Sequence, residues 1–245
     1  MFIDPHAHTS GISPCCQMNY REILDVNKSI GLEGVVLTNH YHKPYIGDRD
    51  LGEFGREFYE EYLAAKQYGD EIGMKAFFGV EVSTRLYDNV HILVYGVGPE
   101  FVYENPEMYD YTQEQLYLAA KKHGGTVVQA HPFRNGAKMF DPQWLDGIEI
   151  NCHPNYRSSY GALLVHLAEK HGLALICGGD YHADTYRPVC GTHFPDDITD
   201  SRGIGDYILN SSRFKMTVHE PNVDSLDRAR EDMIYELEFE RSFKE

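Results

Sequence analysis

Basic residues are scarce in this chain. Twenty-two Lys and Arg stand against 38 Asp and Glu, a formal net charge of −16. Such a field repels a long nucleic-acid duplex, whose phosphates need a basic face, so nucleic acid is not an expected partner. Cysteines number five, at Cys15, Cys16, Cys152, Cys177 and Cys190, an odd count with no C-x-x-C pair in a chain of 245 residues. A disulfide framework is therefore not expected, and reduced thiols are. No apolar run approaches the length of a membrane span. No basic N-terminal region leads into an apolar core, so the cytoplasm is the expected compartment and a membrane is not an expected partner. Also missing are a G-x-S-x-G elbow, a Walker glycine loop, a dinucleotide fingerprint and an H-E-x-x-H pair. Their absence leaves no recognisable serine hydrolase or nicotinamide enzyme.

What is present is an ordinary globular composition, long enough for a substantial core and read as one α/β domain over residues 1–245. Short apolar runs read as strands at 1–5, 34–38, 75–82, 91–97, 126–130, 147–150, 173–177 and 214–218. Between them lie helical patterns at 20–30, about 53–68, 160–171 and 200–209. Thr112-Gln113-Glu114-Gln115 has the form of a capping box and opens a further helix that stops before Gly124. Residues 41–52, 98–111 and 183–197 read as loop or irregular. Val223, Leu226, Ala229, Met233 and Leu237 predict an amphipathic C-terminal helix within 222–245. Alternating short β and longer α units point to a parallel sheet or barrel.

The chemistry gathers at strand ends. His6-Ala7-His8 follows a short apolar run, and alternate side chains of an extended segment share one side, so the two imidazoles converge. Other predicted strands end on or beside His40, Glu81, His131, and Asp180 with His182. In a (β/α) barrel the C-terminal strand ends share one face, where active sites sit. The ligand set is imidazole and carboxylate without an assigned thiolate, which suits divalent Zn, Mn or Fe in a catalytic site. A carboxylate such as Glu81 can bridge two ions through its two oxygens, and a metal pair can clamp both oxygens of a phosphoryl transfer.

His6-Ala7-His8-Thr9, Thr38-Asn39-His40, Gly79-Val80-Glu81, His91 to Gly96, Ala130-His131-Pro132 and Gly179-Asp180-Tyr181-His182 occur in one order over residues 1–183. In this set the chain resembles the PHP superfamily (polymerase and histidinol phosphatase domains). The resemblance implies a distorted seven-stranded (β/α) barrel, two or three divalent metal ions and phosphoester hydrolysis. It implies a first site from His6, His8, Glu81 and Asp180, and a second from Glu81 as bridge with His91 and His131. His40 and His182 would belong to a third. His91 enters only through the resemblance, since it begins a predicted strand instead of ending one. Two features depart from the family pattern. Where a third-site His or Asp often follows the first motif, this chain has Ser10 to Cys16, so Cys15 or Cys16 is either a substitute thiolate or a buried inert thiol. The usual Asp before the middle histidine is Asn39, which removes one negative charge.

Phosphate recognition needs cations beyond the metals. Arg134, three residues after His131, offers a guanidinium fork, and Arg157 and Lys43 sit on comparable strand-end loops. The expected function is phosphomonoester hydrolysis of a small phosphorylated substrate by a metal-bridging hydroxide, with Glu81, Asp180 and His182 carrying catalysis. Two alternatives stand beside it: a metallohydrolase acting on a C–N or C–O bond, and a metal-binding regulatory protein without catalysis. His42 and His153 fall on loops of the active face, while His123, His166, His171, His193 and His219 read as packing or surface residues.

Overall fold

A computed structural model describes residues 1–153, 159–183, 188–220 and 232–243. The first half contains β1 (Phe2–Ala7), α1 (Tyr20–Ser29), β2 (Gly34–Leu37), β3 (His40–Tyr41), α2 (Lys43–Ile46), α3 (Leu51–Ile72), β4 (Lys75–Ser83) and β5 (His91–Tyr95). Then follow α4 (Pro99–Glu104), α5 (Gln113–Lys122), β6 (Thr126–Gln129), β7 (Gly147–Asn151), α6 (Gly161–His171), β8 (Ala174–Gly178), β9 (Gly191–His193), α7 (Ser201–Asn210), β10 (Arg213–Glu220) and β11 (Met233–Glu240). Local chemistry sets the helix ends. Asn19 and Glu22 form a capping box on α1, and Thr112 and Gln115 form the expected one on α5. Asp50 caps α3, which stops at Gly73 in the left-handed region.

The strands join in the order β11-β10-β9-β1-β2-β4-β5-β6-β7-β8, with β3 pairing on β4. β1, β2 and β4 run parallel, as do β6, β7 and β8. A parallel bridge from Ala7 to Tyr181 brings the end of β1 against the chain just beyond β8, so the run from β1 to β8 curls into a nearly closed barrel. The α/β expectation holds, but the count needs correction. The described residues contain eleven strands, not seven. β1, β2, β4, β5, β6, β7 and β8 form the curled run, while β9, β10 and β11 extend the sheet antiparallel beyond β1. The apolar core fills the barrel and the layer under α3, α5 and α6, with Ile3, Val80, Leu93, Val128, Ile148 and Ile176 all buried.

β5 is antiparallel to both β4 and β6. Its beginning therefore lies where its neighbours end, and Ser83 at the end of β4 is paired with His91 at the start of β5. This reversal explains how a histidine that opens a strand shares a face with residues that close strands. No helix among the described residues is long and apolar enough to cross a membrane.

The C-terminal helix is a second correction. Residues 221–231, which carry Val223, Leu226 and Ala229, lie outside the described residues. Met233 to Glu240, however, form β11, paired antiparallel with β10 from Glu220↔Met233 to Arg213↔Glu240. Met233 and Leu237 are four apart, a spacing that shares a face in a helix and in a strand alike. The alternation of Leu237 and Phe239 with Glu236, Glu238 and Glu240 is the strand signal. Phe239 is 3% exposed against Phe214, whereas Met233 is 54% exposed. Phe239→Ala should cost about 3 kcal/mol in urea unfolding, while Met233→Ala should change stability by less than about 0.5 kcal/mol. A helix burying Met233 would reverse that order.

Candidate metal centre

Glu81 is the hub of the barrel mouth. Its carboxylate is fully buried at the end of β4 and faces five imidazoles. Oε1 lies 2.9 Å from His91 Nδ1, 3.2 Å from His131 Nε2 and 3.4 Å from His6 Nε2. Oε2 lies 2.8 Å from His40 Nδ1 and 3.3 Å from His8 Nε2. Asp180 closes the other side, with Oδ1 3.0 Å from His8 Nε2 and 3.4 Å from His6 Nε2. His182 places Nδ1 2.7 Å from the Asp180 carbonyl oxygen. The structure thus brings together all eight residues expected as ligands. They come from β1, β3, β4, β5 and the segments after β1, β6 and β8.

The donor geometry fits a cation. His6 Nε2 and His8 Nε2 face each other at 3.1 Å, and the further separations to Glu81 and Asp180 run from 3.0 to 3.4 Å. Ligands bonded to one ion at roughly 2.0–2.1 Å sit about 3.3 Å apart on a tetrahedron. Buried ring nitrogens without a hydrogen-bond partner among the described residues include His8 Nδ1 and His131 Nδ1, while Glu81 Oε2 meets only imidazole nitrogens. Such atoms are costly unless something else meets them. Two groups of mutually close ligand atoms, His6–His8–Glu81 and His40–Glu81–His91, share Glu81, and their donors suit a divalent metal.

The electrostatics point the same way. Burial works against charge on Glu81, yet His40, His6 and His91 hold its carboxyl well below the usual range. Asp180 is likewise held low against burial by His6, Arg134 and His182. Burial also opposes charge on His6, but Glu149, Asp180 and Glu81 outweigh it and raise its pKa. His8 is pushed down by burial and by His40 and His182, and burial takes His131 down to about 3. Protons on some rings thus stand where a metal cation would replace them.

Backbone and supporting residues hold this arrangement. His131 and Asp180 both adopt positive φ, 31° and 52°, conformations that non-glycine residues keep only where surroundings enforce them. Gly178 lets β8 pass behind the cluster, because a Cβ there would meet His6 Cβ at 2.8 Å. Glu149, buried on β7, was not among the residues expected from the sequence. Its Oε1 is 2.8 Å from His6 Nδ1, and its Oε2 accepts from the His131 amide at 3.0 Å and from Asn151 Nδ2 at 3.2 Å. One carboxylate thus orients two ligands. Its signal in the sequence is Ile148-Glu149-Ile150, where period two turns the acid away from its apolar neighbours. Asp4 is a second such residue, accepting from the His6 and Gly179 amides, and burial raises its carboxyl to about 7. Asn39 is a latch: its Oδ1 accepts from the Thr9 amide at 2.8 Å and Ser13 Oγ at 2.9 Å, tying the loop after β1 to the start of β3.

That loop separates its two cysteines. Cys16 is buried, with Sγ against the His8 and Met18 carbonyls, and burial pushes its thiol up to about 12. Cys15 is instead exposed, and against the burial that would raise it the neighbouring His182 and His40 bring its thiol down to about 6. His8, His40 and His182 form a further group of mutually close ligand atoms.

Exposure grades across the cluster. The side chains of His6, His8 and Glu81 are closed off, while His40 is 7% exposed, Arg134 16%, His182 17% and His91 20%. The last three rim the opening. Arg134 Nη1 is paired with Asp180 Oδ2. Lys43 is turned to its own turn, with Nζ 2.7 Å from the Gly47 carbonyl and 5.9 Å from the Tyr109 ring centre. Arg157 lies outside the described residues. His153 packs 5.7 Å from the His182 ring and His42 lies 4.9 Å from Tyr45, so both stand beside the cluster.

No family sequence model matches the chain, and no curated protein sequence does. Solved structures do. One is a two-domain protein from Bacteroides vulgatus containing a predicted PHP-like metal-dependent phosphoesterase, with a TM-score of 0.63 and 14% identity over 100% of this chain and 87% of that one. The chain has the PHP-like fold. An amidohydrolase from Chromobacterium violaceum with bound sulfate and no metal is similar at TM-score 0.58 and 15% identity, over 80% of this chain and 93% of that one. A Bifidobacterium adolescentis protein, provisionally named a metal-dependent phosphoesterase, is similar at 0.53 and 16%, over 84% and 95%. At these identities the PHP-like likeness is one of fold.

Two outcomes test the site. Glu149→Gln keeps the shape but weakens the acceptor behind His6, and should lower metal affinity by about 10–100-fold in competition with a chromophoric chelator. In metal-stripped protein, Cys15 alkylation should rise with pH through a midpoint near 6, because the thiolate prevails above its pKa, instead of near the ordinary value of about 8.5. Mass spectrometry of the alkylated peptide locates the reaction.

Proposed function

We propose that this chain is a metal-dependent phosphoesterase that hydrolyses a small phosphomonoester at the barrel mouth. The observation that carries the reading is Glu81, one buried carboxylate presenting its two oxygens to separate sets of imidazoles. His6, His8, Asp180 and Glu81 would hold one divalent ion, and Glu81, His91 and His131 a second. Cys15, whose thiol is lowered by His182 and His40, would join those two imidazoles at a third site. Bound metals supply Lewis acidity, neutralising phosphoryl oxygens and lowering the pKa of water.

The chain's own groups do the rest. The closed floor at His6, His8 and Glu81 confines approach to the rim of His91, Arg134 and His182. Arg134 is placed to meet an equatorial phosphoryl oxygen with the guanidinium that pairs with Asp180. Asp180, held ionised by His6, Arg134 and His182, would serve as a metal ligand and as a hydrogen-bond acceptor that orients the water. Glu149 and Asp4 keep the ligand-bearing strands in register with the cluster. A metallohydrolase acting on a C–N bond is the second reading, favoured by the likeness to the amidohydrolase.

Release of phosphate from 4-nitrophenyl phosphate should be lost on dialysis against a chelator and restored by Zn, Mn or Fe(II). Glu81→Ala should lower kcat by about 10³-fold or more and reduce bound metal, by removing the bridge. Arg134→Ala should raise KM about tenfold with metal content kept, as loss of one charge-assisted contact predicts. Turnover of amides or lactams with no phosphoester cleaved across a broad panel would replace the phosphoesterase reading with the second one. Metal binding with no turnover of either class would leave a binding protein.

A further inference from the structure

The three cysteines away from the mouth form a group of their own. Cys152 follows β7, Cys177 lies within β8, and Cys190 immediately precedes β9. All three are 1% exposed or less. Their sulfurs lie within 4.8 Å of one another, and Cys152 Sγ is 3.4 Å from Cys177 Sγ. The His219 amide donates to Cys152 Sγ at 3.4 Å, and Cys177 Sγ contacts the Thr217 carbonyl at 3.4 Å.

A single buried cysteine is an ordinary small apolar residue. Three of them from separate segments, with their sulfurs turned toward one centre, form a donor set. A disulfide would use two of the three and strand the other, and the closest sulfurs stand well beyond the roughly 2.05 Å of a bond. Sulfurs bound at about 2.3 Å to one ion lie about 3.8–4.0 Å apart, in tetrahedral or trigonal geometry. The Cys152–Cys177 separation of 3.4 Å is a little shorter than that range, so an ion would spread this pair by about half an ångström. Among the described residues, no fourth His, Cys, Asp or Glu joins the group. Three soft donors and no hard one disfavour Mn and other oxygen-preferring ions and favour thiophilic ones, Cu(I) and Zn, and the lack of a fourth ligand among the described residues favours Cu(I) over four-coordinate Zn.

We propose that Cys152, Cys177 and Cys190 form a second, separate metal site, a buried trithiolate pocket for a soft ion of the Cu(I) class. Binding releases up to three thiol protons to solvent as three sulfur–metal bonds form, with no change of oxidation state. The pocket adjoins the strand end that carries Asp180, since a Cβ on Gly179 would stand 3.5 Å from Cys190 Sγ. An ion there would brace β8 from behind the cluster. The site stands independently of the phosphoesterase reading.

Cu(I) buffered by a chromophoric chelator is the probe, applied anaerobically to the reduced native protein and to protein refolded in its presence, because the sulfurs are closed to solvent. One Cu(I) per chain should resist the chelator, and X-ray absorption should show a three-sulfur shell without nitrogen. On unfolding in the presence of an alkylating agent, the copper-loaded chain should show slowed labelling at Cys152, Cys177 and Cys190, while Cys16 labels as in the metal-free chain. Cys190→Ser should weaken retention at least a hundredfold, whereas Cys15→Ser should leave it in place. Retention lost in Cys15→Ser but kept in Cys190→Ser, a shell containing imidazole nitrogen, or no retained copper in either preparation would overturn the proposal. The labelling pattern decides the matter in the unsubstituted protein if Cys190→Ser does not fold.

Discussion

The architecture of the mouth depends on keeping one carboxylate ionised where water does not reach. Desolvation alone would protonate Glu81. Imidazoles on opposite sides of it keep it charged, and beyond the alternating pair His6 and His8 at the end of β1 each comes from a different strand end, because one strand presents only alternate residues to the same side. The barrel curvature, the short β3 beside β4 and the bridge from Ala7 to Tyr181 follow as ways of delivering those rings to one point. The cluster turns the Nε2 atoms of His6, His8 and His131 toward the two carboxylates, with His6 and His8 Nε2 only 3.1 Å apart, a spacing suited to a shared cation.

Around that point lies a layer of residues whose role is orientation. Glu149 serves two ligands at once, Asp4 holds the backbone of β1 to the segment that carries Asp180, and Asn39 joins the loop after β1 to β3. These are short, saturated hydrogen bonds in a low-dielectric setting, where each is stronger and its loss more costly than at a surface. Positive φ at His131 and Asp180 shows the same bias: local backbone preference yields to the position that the side chain must occupy. The two metal-binding chemistries inferred here also segregate by hardness. Imidazole and carboxylate collect at the open mouth, and thiols collect in the closed layer between β7, β8 and β9.

Much of this was legible before any coordinates. Strand runs at Gly34, Lys75, Thr126, Gly147 and Leu173 were readable because β-branched and apolar residues cluster between turn-forming residues. Seven of the eight ligand candidates were readable because His and carboxylates recur at strand ends, and His91, which opens a strand, was readable only through the resemblance. Glu149 and Asp4 were not, because a lone acid inside an apolar strand has no marker besides its phase. Lys43 illustrates the converse. Its place beside His40 suggested a phosphate contact, but its ammonium reaches its own turn. The C-terminal segment was misread because a four-residue spacing satisfies both periods, and only pairing with β10 selects the strand.

Sequence by itself determined the α/β alternation, the capping of α5 and the residue types of the cluster, since these rest on short-range periodicity and on side-chain chemistry. Tertiary structure decided the remainder. The reversed direction of β5 puts His91 at the mouth, and eleven strands join where seven were expected. Cys16 is buried against the His8 and Met18 carbonyls while its neighbour Cys15 is exposed. Cys152, Cys177 and Cys190 meet across gaps of 25 and 13 residues that no spacing rule spans. The physical reason is common to all four: strand direction, register and the facing of a side chain are settled by which partner strand lies alongside, and that is a property of the folded sheet.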